Sequence, residues 1–485
     1  MSAIRYICMS DLHLGEEFGL LTNWNFELGM ADPENPSPVL MSLVECLKFL
    51  LNGYGPSYDK KKPTLILNGD ILELALRPTK EAAAVFDQFI QLAMPDGGEL
   101  FDRIIIVPGN HDHDLWQTAR ETQYVTHLTS GEFPPGKPFT DPWNATNIFV
   151  EASPVSAFFL ERLVRRYSHL QEVVIQIAYP NFGLLEPTQR KCVIFHHGHY
   201  IESIYYLMSR LKSLIIPNRR VPTNIWDIES ENGPWINFFW SSLGNAGQVG
   251  EDLETIYQKL QKPEEVTELV CDALANLIRR EAISEERAFS FGLEKALELA
   301  VSPFVKSICK RERSKTQGVL SGELEEALKS YVEGPLRTQI LNELAKRQKD
   351  LLVSEIEEMV FVIGHTHKPF SRAIKFEGFE KSAHVYNTGG WVVDTMDPDP
   401  FHGAGIVLLD DNLEVVSVRM FNEVYDWKTL RVMVEEPVAK AIPKTQFYEK
   451  IDELVSGPGP WGAFRSSLAE RTDLLRDRLA ERVSK

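Results

Sequence analysis

The chain has 485 residues, 44% of them hydrophobic; at about 100–200 residues per domain this leaves room for two to four domains, or one large decorated one, around a buried core. Its formal charge of −18 weighs against a surface that grips long nucleic acid all over. Five widely spaced cysteines with no Cys-x-x-Cys pair argue against a disulfide framework and for a reducing compartment.

The N-terminus leads almost at once into an apolar run, without the basic segment and apolar stretch of a signal peptide. No stretch approaches the ~18 uncharged apolar residues of a spanning helix, so a soluble cytoplasmic protein without a transmembrane segment is expected. In chain order, a strand over Ile4 to Met9 precedes a Pro/Asn-rich loop (Asp32 to Pro38), a helix (Val39 to Leu51), a strand (Thr64 to Leu67), a helix (Lys80 to Met94) and a strand (Ile104 to Val107). Strands alternating with amphipathic helices predict α/β architecture. Residues 113–190 read less regularly: a Gly/Pro-rich loop from Gly131 to Pro142, a helix over Phe158 to His169, and strands over Glu172 to Ala178 and Lys191 to Phe195 separated by a turn.

A stretch of 168 residues then separates His197 from His365, far more than the typical ~4–6 residues between neighbouring elements. It must hold structure of its own, and reads mostly as helix: Tyr200 to Leu214, Glu251 to Leu260, Glu264 to Ile283, Glu286 to Ala300, Gly322 to Leu336 and Gln339 to Leu352. The expected organisation is a core in two parts, 1–199 and 356–425, an inserted helical cap over 200–355, and a helical C-terminal extension over 426–485. The second part carries strands at Met359 to Ile363, His384 to Asn387, Gly405 to Leu409 and Val415 to Met420.

Five short blocks carry the chemistry, each following a β-type run: Asp11-Leu12-His13, Gly69-Asp70, Gly109-Asn110-His111-Asp112, His196-His197-Gly198-His199 and Gly364-His365-Thr366-His367. Strands that each end in carboxylate, imidazole or amide ligands describe a two-metal hydrolytic centre. Two cations sharing a ligand can activate water, neutralise phosphoryl charge and stabilise a leaving oxygen. A mixture of carboxylate, imidazole and amide oxygen suits Mn, with Fe or Zn as alternatives, better than Ca or an all-oxygen Mg site.

In the order of these blocks the chain resembles the calcineurin-like metallophosphoesterase superfamily, over roughly residues 1–200 and 355–425. The resemblance implies a two-sheet α-β-β-α sandwich with the site at the strand ends. It also implies that Asp11, His13 and His367 bind a first metal, that Asp70 bridges, and that Asn110, His197 and His365 bind a second. His111 would contact the phosphate or protonate the leaving group, with Asp112 orienting it, while a metal-bridging hydroxide attacks phosphorus in line. The family block His-Gly-His selects His197 as the ligand. Its neighbour on the strand, His196, points to the opposite face and reads as a residue that either backs the ligands or packs in the core; His199 is left open between a functional and a packing role.

Gly69-Asp70-Ile71-Leu72-Glu73 and Gly-Asn-His-Asp depart from the protein Ser/Thr phosphatases, which carry Gly-Asp-x-Val-Asp-Arg-Gly and Gly-Asn-His-Glu. Asp-Leu-His-Leu-Gly and Gly-Asp-Ile-Leu-Glu are instead similar to the UDP-diacylglucosamine pyrophosphatase-like branch, many of whose members carry Arg at the third place of the Gly-Asn-His-Asp block, and to the exonucleases of double-strand-break repair. The first shares a helical cap, a Gly-His-Thr-His-Lys-Pro block and a following Tyr386-Asn387-Thr388-Gly389-Gly390-Trp391 turn; this chain is about twice as long. The expected activity is hydrolysis of a phosphodiester or pyrophosphate bond in a nucleotide-linked or lipid-linked substrate. The alternatives are a DNA or RNA nuclease and a non-catalytic scaffold on the same fold. An aromatic patch (Trp235, Phe238, Phe239 and Trp240, with Ile204 to Leu207) reads first as the core where the cap docks, and a basic run over 306–315 as a solvated helix end.

Overall fold

The computed structural model describes residues 3–129, 143–149, 155–237, 319–347, 356–436 and 444–483, apart from 26, 28, 57–60, 187, 189, 216–219, 425 and 426. Its strands, in chain order, are β1 (Ile4–Met9), β2 (Thr22–Asn25), β3 (Met30–Pro36), β4 (Thr64–Leu67), β5 (Arg103–Ile106), β6 (Val155–Ser156), β7 (Val174–Ile177), β8 (Asn181–Glu186) and β9 (Lys191–His196). They continue with β10 (Glu358–Ile363), β11 (Phe370–Ile374), β12 (Ala383–Asn387), β13 (Gly403–Asp410), β14 (Val415–Asn422) and β15 (Met433–Val434).

One sheet has the order β15-β14-β13-β1-β4-β5-β7-β6 and a second the order β11-β12-β10-β9-β8, with β2 and β3 forming a separate hairpin. Strands β1, β4, β5 and β7 run parallel, as do β9, β10 and β12. Their side chains alternate as the pleat requires. Cys8, Ile66, Ile105 and Val107 from the first sheet meet Val193, Phe195, Val360 and Val362 from the second in a shared core. The intervening residues Ile7, Leu65, Leu67, Ile104 and Ile106 face outward onto a helix-covered core. Ile194, Phe361 and Ile363 do the same on the second sheet. Burial on both faces explains why the parallel strands read as unbroken apolar runs rather than alternating ones. The fold is mixed α/β, as expected.

The helices follow from local sequence. In α1 (Pro38–Tyr54) the Ser37 hydroxyl accepts the Val39 and Leu40 N–H groups, and Pro38 stands at the first helical position, where no N–H is needed. Helix α2 (Thr79–Ala93) buries Val85, Phe86, Phe89 and Ile90 against the first sheet's outer core. The expected loop over Asp32 to Pro38 is corrected: Asp32 to Pro36 belong to β3, paired with β2. The irregular region holds α3 (Asp114–Thr129), which was not expected, and α4 (Phe158–Val164), which is shorter than the expected helix. The turn before β9 contains β8.

Tyr200 to Leu214 is not one helix. It opens with 3-10 turns over His199–Ile201 and Ser203–Tyr206 before α5 (Leu207–Ile215), and α6 (Ile225–Ile236) follows. A helix over Gly322–Tyr331 continues through a π turn (Val332–Leu336) into another over Arg337–Arg347. The expected helices over 251–300, the basic run at 306–315, residues 238–240 of the aromatic patch and the loop at 131–142 lie outside the described residues. Trp235 and Tyr206 pack against the second sheet's outer core. The C-terminal stretch is helical as expected, over Gln446–Ser456 and Trp461–Val483. No described helix is long and apolar enough to cross a membrane.

Candidate metal centre

All five sequence blocks meet where the parallel strands end, the edge at which open α/β sheets collect ligands. The loop after β1 is zipped to the loop after β4: Asp11 N–H donates to Gly69 O, His13 N–H to Asp70 O and Leu14 N–H to Ile71 O, at 2.8–2.9 Å. The two sheets are clamped at the same level. Asn68, at the end of β4, donates its amide to His196 O and Val362 O at 3.1 and 3.2 Å. Gly364 N–H donates to His197 O at 2.7 Å, and His365 N–H to the Asp11 carboxylate at 2.9–3.0 Å.

Backbone strain concentrates here. Asp11, His13, Asp70, His365 and His367 all have positive φ, between 43° and 70°; outside the site only Arg190 and Leu413 among the described non-glycine residues do. Such conformations cost about 1–3 kcal/mol each and persist where surrounding structure imposes them. Two glycines are dictated by closeness. A Cβ on Gly109 would lie 2.2 Å from Asp70 Oδ1, and one on Gly364 2.2 Å from Asp11 Oδ2.

The side chains form two groups, each with ligand atoms within 4.8 Å of one another: Asp11, His13 and His367, and Asp70, His197 and His365. Asn110 joins the second, its Oδ1 standing 3.1 Å from His197 Nε2. Asp70 lies between the groups, with Oδ2 at 3.0 Å from His197 Nε2 and 3.8 Å from His13 Nε2. All seven residues are buried.

The orientation of the imidazoles tests whether a cation fits. His13 places Nδ1 on Glu73 Oε2 at 2.8 Å and His367 places Nδ1 on Asp394 Oδ2 at 2.6 Å. His197 Nδ1 faces the Asn68 carbonyl at 3.2 Å, and His365 Nε2 lies 3.2 Å from Glu202 Oε1. The His13, His367 and His197 rings therefore each meet an acceptor with one nitrogen and turn the other inward. Once neutral, His13 and His367 present Nε2 lone pairs to each other at 3.2 Å; His197 Nε2 and His365 Nδ1 do so at the same separation. Facing lone pairs repel unless a cation lies between them, and metal-ligating histidines are held by an acceptor on their far nitrogen in this way. The donor set fits metal ions.

The electrostatics agree. Burial opposes ionisation of Asp70, yet His197 and His111 hold its carboxyl well below the usual range. Burial would lower His197, but Asp70 and Asp11 push it up to about 9. In the absence of a cation, a proton supplies the positive charge that these carboxylates demand.

Every expected ligand is at the centre. One expected role is corrected: Asp112 does not hold the His111 ring in the arrangement found. Its carboxylate accepts backbone N–H groups of Gly109 at 2.7 Å and Ile71 at 2.8 Å, tying two site loops together. Burial and the nearby Asp70 charge push Asp112 up to about 6. Glu73 orients His111 instead, both oxygens lying 2.9 Å from its Nδ1, and so shares one carboxylate between His111 and His13. Glu73 stood in the Gly-Asp-Ile-Leu-Glu block without an assigned role; Glu202 and Asp394, in no motif, gave no signal. His196 is buried, with Nδ1 accepting the Gly198 N–H at 2.7 Å and its ring against Tyr200 and Tyr331. No protein-family model matches the chain, and no curated protein matches its sequence.

Proposed function

We propose that this chain is a metal-dependent phosphoesterase of the calcineurin-like type, cleaving a phosphodiester or pyrophosphate bond. One observation carries the reading: Asp70, the carboxylate of the buried group it forms with His197 and His365, also faces His13 of the neighbouring group of Asp11, His13 and His367. The two sheets sharing one core, with helices on the outer faces, fit the sandwich of that superfamily.

Asp11, His13 and His367 would hold one divalent cation, Asn110, His197 and His365 the other, with Asp70 common to both. The donor chemistry favours Mn, with Fe or Zn as alternatives. Such a pair supplies phosphoryl charge neutralisation and water acidification. The chain supplies the rest. Glu73 engages Nδ1 of His111, which leaves Nε2 as the position from which that ring donates a proton to a departing oxygen. Asp112 fixes the loops that carry Asp70 and His111. The substrate class is a small or medium nucleotide-linked or lipid-linked ester; a charge of −18 disfavours long nucleic acid.

The Mn-loaded protein is assayed against bis-p-nitrophenyl phosphate, p-nitrophenyl phosphate and single- and double-stranded oligonucleotides. Diester turnover exceeding monoester turnover is expected. Asp70→Asn should lose about 100-fold or more, because a bridging ligand serves both ions. Monoester preference would replace the diesterase reading by a phosphatase, and efficient oligonucleotide cleavage would favour a nuclease. No turnover together with no bound metal would leave a scaffold.

A further inference from the structure

The geometry points to His199 as a second phosphoryl-binding residue, at the opposite end of the site from His111; this deepens the proposed function and rests on it. Gly198, at φ 118°, turns the chain out of β9 into the 3-10 turn His199–Ile201. The turn sets the His199 ring beside two ligands of the second group, 5.6 Å from the His197 centroid and 6.5 Å from that of His365. His199 is only 4% exposed, and neither of its ring nitrogens has a hydrogen-bond partner among the described residues.

A neutral imidazole carries one N–H donor and one lone pair, and burying both unmet is unfavourable. No described neighbour hydrogen-bonds to it, and the adjacent His196 Nε2 is likewise unmet. The Tyr205 ring lies 5.0 Å away, but its hydroxyl donates to Glu229. The His196 ring lies 5.2 Å away, but its Nδ1 takes the Gly198 N–H. An apolar ring would fill this space without the cost, so the two nitrogens call for a polar group that the described residues do not supply.

Position says which group. His111 packs edge-on against His13, 4.8 Å between centroids, beside the first ligand group. His199 packs beside the second. A phosphoryl group spanning both would meet an imidazole at each end, and His199 N–H would donate to one of its oxygens. His199 is thereby a substrate-binding residue and not a metal ligand.

The test measures binding of orthophosphate to the full-length, Mn-loaded protein by calorimetry, with bound Mn quantified alongside. His199→Phe keeps a ring and removes both nitrogens. His199→Ala serves in its place if circular dichroism shows that the Phe variant does not fold. His199→Gln restores a donor and an acceptor. The apolar variant should bind orthophosphate about ten-fold or more weakly, the range of a lost hydrogen bond to a charged group, with Mn content unchanged and affinity partly recovered in the Gln variant. Unchanged phosphate affinity overturns the assignment, as does loss of Mn, which would make His199 a ligand. A Gln variant as weak as the apolar one assigns the residue to packing and also overturns it. Hydrolysis is not read, so failure of the phosphoesterase reading is distinguishable: turnover would be absent while His199-dependent phosphate binding remained.

Discussion

Glu73 holds two imidazoles with one carboxylate, and both must keep their orientation for the site to form. Burial opposes its ionisation, but His111 and His13 pull its carboxyl down to about 2. Glu73→Gln keeps the volume and removes the charge. We expect about 10–100-fold weaker Mn binding, the usual cost of losing an outer acceptor, with a matching fall in turnover; wild-type affinity in a metal titration would refute the orienting role. A second buried carboxyl, Glu229, sits away from the ligands. Burial pushes it from 4.5 up to about 7, although the Tyr179 and Tyr205 hydroxyls donate to it and pull the other way. Its folded value lies above its unfolded one, so its contribution is fully present below about pH 4.5 and is lost as pH rises through 7. Glu229→Gln stays neutral throughout. Between pH 5 and 8 the urea midpoint of the wild type should therefore fall relative to that of the variant, by up to roughly 3 kcal/mol of stability. Parallel midpoints across that range would count against the assignment.

At the scale of elements, the site is a set of strand ends with enforced backbone geometry. Gly364→Ala introduces a Cβ 2.2 Å from Asp11 Oδ2 and 2.4 Å from Ser10 Oγ, so the loop or the ligand must move. Overpacking of this kind costs about 1–3 kcal/mol. Mn affinity should drop while the melting temperature of the metal-free protein changes by only a few degrees; an alanine variant with full Mn affinity would show that the close approach is dispensable. The central strands and the ligands were legible in the sequence because each constrains residue type. Strands such as β4 and β10, covered on both faces, are apolar at every buried position, and the candidate ligands must be His, Asp or Asn. The elements that escaped lack that constraint. The hairpin strand β3 is Met-Ala-Asp-Pro-Glu-Asn-Pro, with Asp32 bonding Asn23 and Asn35 through its side chain, and so looks like a loop. Helix α3 buries only Leu115, Trp116 and Ala119, too few to give a clear helical period. The 3-10 turns after β9 bring Glu202 to His365. Their apolar residues suggested one helix, whereas the chain interrupts it beside His365.

At the scale of the molecule, the C-terminal helices are part of the first core rather than an appendage. Phe447, Ile451, Trp461, Phe464 and Leu468 belong to the same buried cluster as β1 and α1. Arg471 donates to Thr22 O, and Arg476 pairs with Glu423 at 2.9 Å. Phe464→Ala should cost about 3–5 kcal/mol, read as a lower urea midpoint with an unchanged slope; a cost below about 1 kcal/mol would show the tail to be separable. Asp11 and His365, which share hydrogen bonds at the centre, are 354 positions apart. A nascent chain that has left the ribosome only as far as its helical middle therefore lacks His367 of the first group and His365 of the second. Neither group is whole until β10 is laid beside β9 and the two sheets have closed, so a cation held by all of its residues would certify that synthesis and docking are both complete.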